Sequence, residues 1–145
     1  MKIAIYIRQY SEENEAILNE LFTLLLPSDK VFIEREILSD LNDRSEQFLK
    51  AKSFASFEDL NSSYDVMLTI GGDGTLLKGV TYVRNLQIPI LGINAGRLGF
   101  LANAHKDDLK NVLTQLRERN YKVVERSVIE AVYAAVKLML SLVGG

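Results

Sequence analysis

Cysteine is absent, only two prolines occur, and His105 is the single histidine among 145 residues. With no thiol there is no disulfide framework, no cysteine nucleophile and no thiolate-held metal, a composition that suits a cytoplasmic protein. With no second imidazole to pair with it, His105 is expected in a loop or at a helix start rather than in a metal or acid–base role. The net charge is only −2, from 17 basic and 19 acidic residues. It supplies no long-range attraction for nucleic acid or anionic lipid, so an anionic ligand must be held by local arrangements of backbone and side chains. Long apolar runs are missing as well. The segment before Arg8 is shorter than the roughly 7–15 apolar residues of a secretory signal. Val128 to Val143 is broken by Glu130 and Lys137 and falls short of the roughly 20 residues that cross a bilayer as a helix. Neither a membrane nor a nucleic acid is expected as a partner.

What is present is the composition of a globular domain, 48% hydrophobic and 25% charged, at a length that fits one core rather than two. Lys2 to Ile7 is isoleucine-rich and reads as a strand. Ser11, followed by Glu12, Glu13 and Glu15, supplies an N-cap and a favourable first-turn charge. Ile17, Leu18, Leu21, Leu24 and Leu25 then recur at the spacing of one buried face until Pro27, which predicts a helix from Ser11 to Leu26. Val31 to Ile37 reads as a second strand. The polar stretch Ser39 to Ser63, anchored only by Leu49, Phe54, Phe57 and Leu60, is expected to hold one helix around Ser45 to Lys52 and an irregular approach to the next strand. Tyr64 to Ile70, Ile88 to Ile93 and Tyr121 to Arg126 read as further strands. Helices are expected from Thr75, as cap, to Asn85, and from Asp107 to Arg119 through Leu109, Val112, Leu113 and Leu116. The alternation predicts βαβ units and hence an α/β fold on a mostly parallel sheet, whose ligands meet the carboxyl ends of the strands.

Gly71-Gly72-Asp73-Gly74-Thr75 falls between such a strand and such a helix. Three glycines in four positions let the backbone approach a ligand closely, and exposed amides with the positive end of a helix favour phosphate. A carboxylate in that loop opposes phosphate binding by itself. The conflict resolves if Asp73 faces a hydroxyl whose proton it accepts, or a Mg²⁺ that bridges it to phosphate oxygens, and both point to phosphoryl transfer. The plainer alternative is a tight turn in which Asp-Gly only supplies geometry. The next strand ends in Gly92-Ile93-Asn94-Ala95-Gly96-Arg97-Leu98-Gly99-Phe100-Leu101, expected at the same edge of the sheet. There Asn94 can donate and accept hydrogen bonds, Arg97 can complement phosphate charge, and Phe100 offers a flat face to a base or, with Leu101, fills core. Lys78 and Arg84, in the helix after the first loop, read as solvated.

Together the two loops resemble those of NAD kinases, which phosphorylate the 2′-hydroxyl of the adenosine ribose of NAD to give NADP. The first loop is shared with a wider group that includes 6-phosphofructokinases and diacylglycerol and sphingosine kinases; Leu91 to Leu101 is what selects NAD kinase. The likeness extends from Lys2 to Arg126 and implies a three-layer, Rossmann-like domain over residues 1–126. It implies Asp73 as general base for the ribose hydroxyl, Gly72 and Gly74 shaping the loop, Thr75 supporting it, and Asn94 and Phe100 against the NAD dinucleotide. Arg97 as a phosphate contact follows from its charge and place. ATP and Mg²⁺ would come from solution, with no protein-held metal, and catalysis would be mostly positioning and charge stabilisation.

The family continues into an all-β domain with an Asn-Glu motif that has no counterpart here, since Asn14-Glu15 and Asn19-Glu20 lie within the first predicted helix. Residues 127–145 are alanine- and leucine-rich and are expected to form an apolar helical tail, unlike the start of an antiparallel domain. Its surface favours a homo-oligomer. The NAD site is therefore expected to be incomplete and turnover by this chain alone weak or absent. Two competing readings are a lipid or sugar kinase sharing the first loop, and a non-catalytic nucleotide-binding or oligomerisation fragment.

Overall fold

The computed structural model describes residues 1–96, 104–129 and 134–142. Strands β1 (Lys2–Ile7), β2 (Lys30–Glu34), β3 (Lys52–Phe54), β4 (Val66–Ile70) and β5 (Ile90–Asn94) run parallel in the order β3-β2-β1-β4-β5. The two-residue β6 (Ala104–His105) adds to β5 in parallel. Strand β7 (Tyr121–Ile129) pairs antiparallel with β8 (Ala134–Leu142), and β8 joins the sheet beside β5. The described α-helices are α1 (Glu12–Leu24), α2 (Arg35–Asn42), α3 (Asp73–Val83) and α4 (Leu109–Arg117), with short 3₁₀ turns at Glu46–Lys50, Phe57–Asp59 and Lys106–Asp108. No helix among the described residues is long and apolar enough to cross a membrane.

Side chains alternate between the faces of a strand, and β1 divides accordingly. Ile3, Ile5 and Ile7 face a core built with Ile17, Leu18 and Leu21 of α1, Ile37, Leu38 and Leu41 of α2, and Leu109, Val112, Leu113 and Leu116 of α4. Ala4 and Tyr6 face a second core with Leu76, Val80 and Val83 of α3. The result is three layers, with β4 and β5 buried along their whole lengths. At the amino edge of the sheet Asp29, with no exposed side-chain surface, accepts two hydrogen bonds from Arg117, at 2.7 and 2.9 Å, one from the amino terminus at 2.7 Å and one from the Leu26 amide at 2.8 Å. Burial by itself would raise the Asp29 carboxyl, but these donors outweigh it and hold the group well below the usual carboxylate range.

Several boundaries differ from the sequence reading. The second strand ends at Glu34, because Ile37, Leu38 and Leu41 bury the inner side of α2 and the Glu34 side chain caps it, accepting from the Ile37 amide at 3.1 Å. The polar stretch holds a 3₁₀ turn at Glu46–Lys50 and the short edge strand β3. Thr75 does not cap α3: the cap is Gly72, and Thr75 sits in the first turn with its amide donating to the Gly72 carbonyl at 3.1 Å. The helical tail expected over residues 127–145 is corrected where that segment is described. Its described residues belong to two antiparallel strands, and β7 runs across the expected boundary at 126. Pairing beside β5 satisfies a strand edge that a helix would leave open, which outweighs the helix preference of alanine and leucine.

Candidate active site

Strand β4 fixes the site. Its parallel neighbours end level with it, Ile7 of β1 and Ile93 of β5 both standing in register with Ile70. Three segments therefore leave the sheet at one carboxyl edge: Arg8-Gln9 after β1, Gly71-Gly72-Asp73 after β4, and Asn94-Ala95-Gly96 at the end of β5. The Gly71 amide donates to the Ile93 carbonyl at 3.0 Å and ties two of them together.

Within the first loop the glycines do different work. Gly71 adopts φ +148°, and a Cβ there would stand 2.4 Å from Thr75 Oγ1. Only glycine meets both conditions without strain. At Gly72, by contrast, a Cβ would meet nothing within 4 Å, so this exposed residue leaves open space over the loop. Gly74 lies under the guanidinium of Arg8, whose Nη1 is 3.6 Å from the position of a Cβ. Asp73 opens α3 and is half-buried, while Thr75 is buried. A cleft of about 300 Å³ lined by Arg8, Gln9, Asn14, Ile70, Gly71 and Thr75 opens beside the loop. A larger hollow of about 660 Å³, bordered by Phe22, Leu26, Pro27 and Asp29, lies toward the amino edge and shares none of these residues.

In the second loop Asn94 is buried and its Oδ1 accepts from the Gly96 amide at 2.8 Å, closing a tight turn. His105 braces that turn. Its Nδ1 accepts from the Asp107 amide at 3.2 Å, which leaves Nε2 to carry the proton and donate to the Gly96 carbonyl at 3.1 Å. Asp73, Gly72, Gly74, Thr75 and Asn94 are thus brought to one edge, while Arg97 and Phe100 lie outside the described residues. Lys78 is exposed, and Arg84 is exposed with its guanidinium over the Phe57 ring at 4.8 Å. Arg8 and the bracing role of His105 escaped the sequence reading. Arg8 was noted only as the end of an apolar run, although its place directly after a strand parallel to β4 would have put it at this edge.

The model of the ATP-NAD kinase N-terminal domain matches residues 3–121. The chain belongs to the ATP-NAD kinase family. NAD kinase of Christiangramia forsetii is 40% identical over 130 residues, covering 89% of this chain and 44% of the relative, and that of Flavobacterium johnsoniae is 37% identical over the same span. The chain therefore spans less than half the length of these curated NAD kinases. Among solved structures, yeast NADH kinase complexed with NADH superposes on 97% of the chain with TM-score 0.67 at 18% identity. An NAD kinase from Archaeoglobus fulgidus in complex with ATP covers 88% with TM-score 0.51 at 22% identity. At those identities the superpositions show the fold, an α/β domain on a mostly parallel sheet. The residues matched by the family model run from β1 to the start of β7.

Proposed function

We propose that this chain carries the phosphoryl-transfer half of an ATP-dependent kinase acting on the 2′-hydroxyl of the adenosine ribose of NAD. The observation that carries the reading is the meeting of the Gly71–Thr75 and Asn94–Gly96 loops at one sheet edge, joined by the Gly71–Ile93 hydrogen bond. One loop has the open backbone and single carboxylate that phosphoryl transfer needs; the other is the stretch whose residues resemble the family's dinucleotide contacts. In this reading the Asp73 carboxylate takes the proton as the ribose O–H bond breaks. The ribose oxygen forms the new bond to the γ-phosphorus of ATP, and the bond from that phosphorus to ADP breaks. Gly72 and Gly74 keep the loop surface open, Thr75 supports it from below, and Asn94, Arg97 and Phe100 hold the dinucleotide.

Mg²⁺ commonly sits on one or two carboxylates and on substrate phosphates. Asp73 is the one carboxylate of this loop, and the described residues hold no cluster of three acidic, histidine or cysteine ligands. The residues fit a cation that arrives on ATP, where it neutralises phosphate charge. The test is NADP formation from NAD and ATP, compared with Asp73→Asn. Product that falls at least about a hundredfold in the variant, with NAD affinity kept within about threefold, supports the reading. Equal product from both proteins, or phosphorylation of fructose 6-phosphate or diacylglycerol in place of NAD, overturns it.

A further inference from the structure

The strand order β3-β2-β1-β4-β5 reverses direction between β1 and β4. The chain leaves β1 for α1 on one face and leaves β4 for α3 on the other. Adjacent parallel strands whose connections part in this way leave a crevice between their carboxyl ends, the place where open α/β sheets take their ligands. Arg8 is the first residue after β1 and Gly71 the first after β4, and the cleft of about 300 Å³ lies between them. The Arg8 side chain is exposed, reaches across to Gly74, and enters no ion pair among the described residues.

We propose that Arg8 holds the phosphate chain of the phosphoryl donor. The assignment rests on the kinase reading above and adds a side to it. Strand β4 has β1 on one flank and β5 on the other. The Asn94 loop on the β5 flank is the acceptor's in that reading. Attacking and leaving oxygens stand roughly in line on opposite sides of the transferring phosphorus, so the donor's remaining phosphates belong on the β1 flank, where Arg8 is. Arginine suits the task because its planar fork presents paired N–H donors that match two phosphate oxygens at once. The guanidinium reaches the loop itself, its Nη1 within ordinary contact distance, 3.6 Å, of where a Cβ on Gly74 would stand.

The test measures binding of inorganic tripolyphosphate with Mg²⁺, and separately of NAD, to the chain and to Arg8→Gln, Arg8→Lys and Arg84→Gln. Arg8→Gln is expected to weaken tripolyphosphate at least about tenfold, with Arg8→Lys recovering part of the loss. NAD affinity should stay within about twofold, and Arg84→Gln, which removes one positive charge elsewhere, should change neither ligand. Tripolyphosphate affinity that is unchanged in Arg8→Gln overturns the assignment and leaves the kinase reading standing. Equal weakening of NAD and tripolyphosphate overturns the donor side of it. Failure of the native chain to bind either ligand overturns both.

Discussion

At Gly71 a φ of +148° coincides with a neighbour 2.4 Å from any added Cβ. Gly71→Ala is therefore expected to lower stability by about 1–3 kcal/mol through backbone strain. Gly72→Ala, with open space around it, should cost only alanine's poorer capping of α3, about 0.5–1 kcal/mol, and urea midpoints at equal slope would separate it from the larger loss at Gly71. Which glycine is strained could not be read from three glycines in four positions, because it depends on where the helix starts and where Thr75 then points. The place of Asp73 at the sheet's carboxyl edge was legible, since its glycine-rich loop directly follows the apolar run that forms β4. Arg8 was not, because nothing local in its neighbours announces it; only the strand register does. Asp29 gives a prediction with a sign. Its folded carboxyl lies below the ordinary value, so the stability it adds is present above the ordinary carboxylate range and is lost as pH falls through and beneath it. Asp29→Asn should cost roughly 3 kcal/mol at neutral pH and flatten that acid limb in pH-dependent unfolding curves.

Elements with a long periodic pattern were read well and short or tertiary-supported ones were not. Helix α1 follows from Ser11 and the leucine spacing, and its cap is there, with Ser11 Oγ accepting from the Asn14 amide at 3.0 Å. Helix α2 was hidden because Val31 to Ile37 is β-branched enough to read as strand, whereas Glu34 caps and Ile37, Leu38 and Leu41 bury. Glu34→Ala is expected to destabilise by about 1 kcal/mol through the lost cap, visible as a lower melting temperature with no change in NAD binding. Strand β3 has three residues and exists by pairing with β2; β8 likewise depends on neighbours, which a pattern along the chain does not contain. In β4, Leu68 is fully buried and Leu68→Ala should cost about 2–5 kcal/mol, measurable by chemical unfolding.

For the whole molecule, alternating strands and helices were enough to predict a parallel sheet with its ligand edge, because burial on both faces demands continuous apolar strands such as Val66 to Ile70. The order of those strands was not available from the pattern, and with it went the crevice between β1 and β4. The two edges of the sheet carry different duties. The Asp29 knot fastens α4 to the beginning of β2, a full strand length from the loops that would meet nucleotide. Variation at one rim should therefore leave the other untouched, so that acid tolerance and ligand preference can drift apart among descendants of this sequence as independently inherited traits.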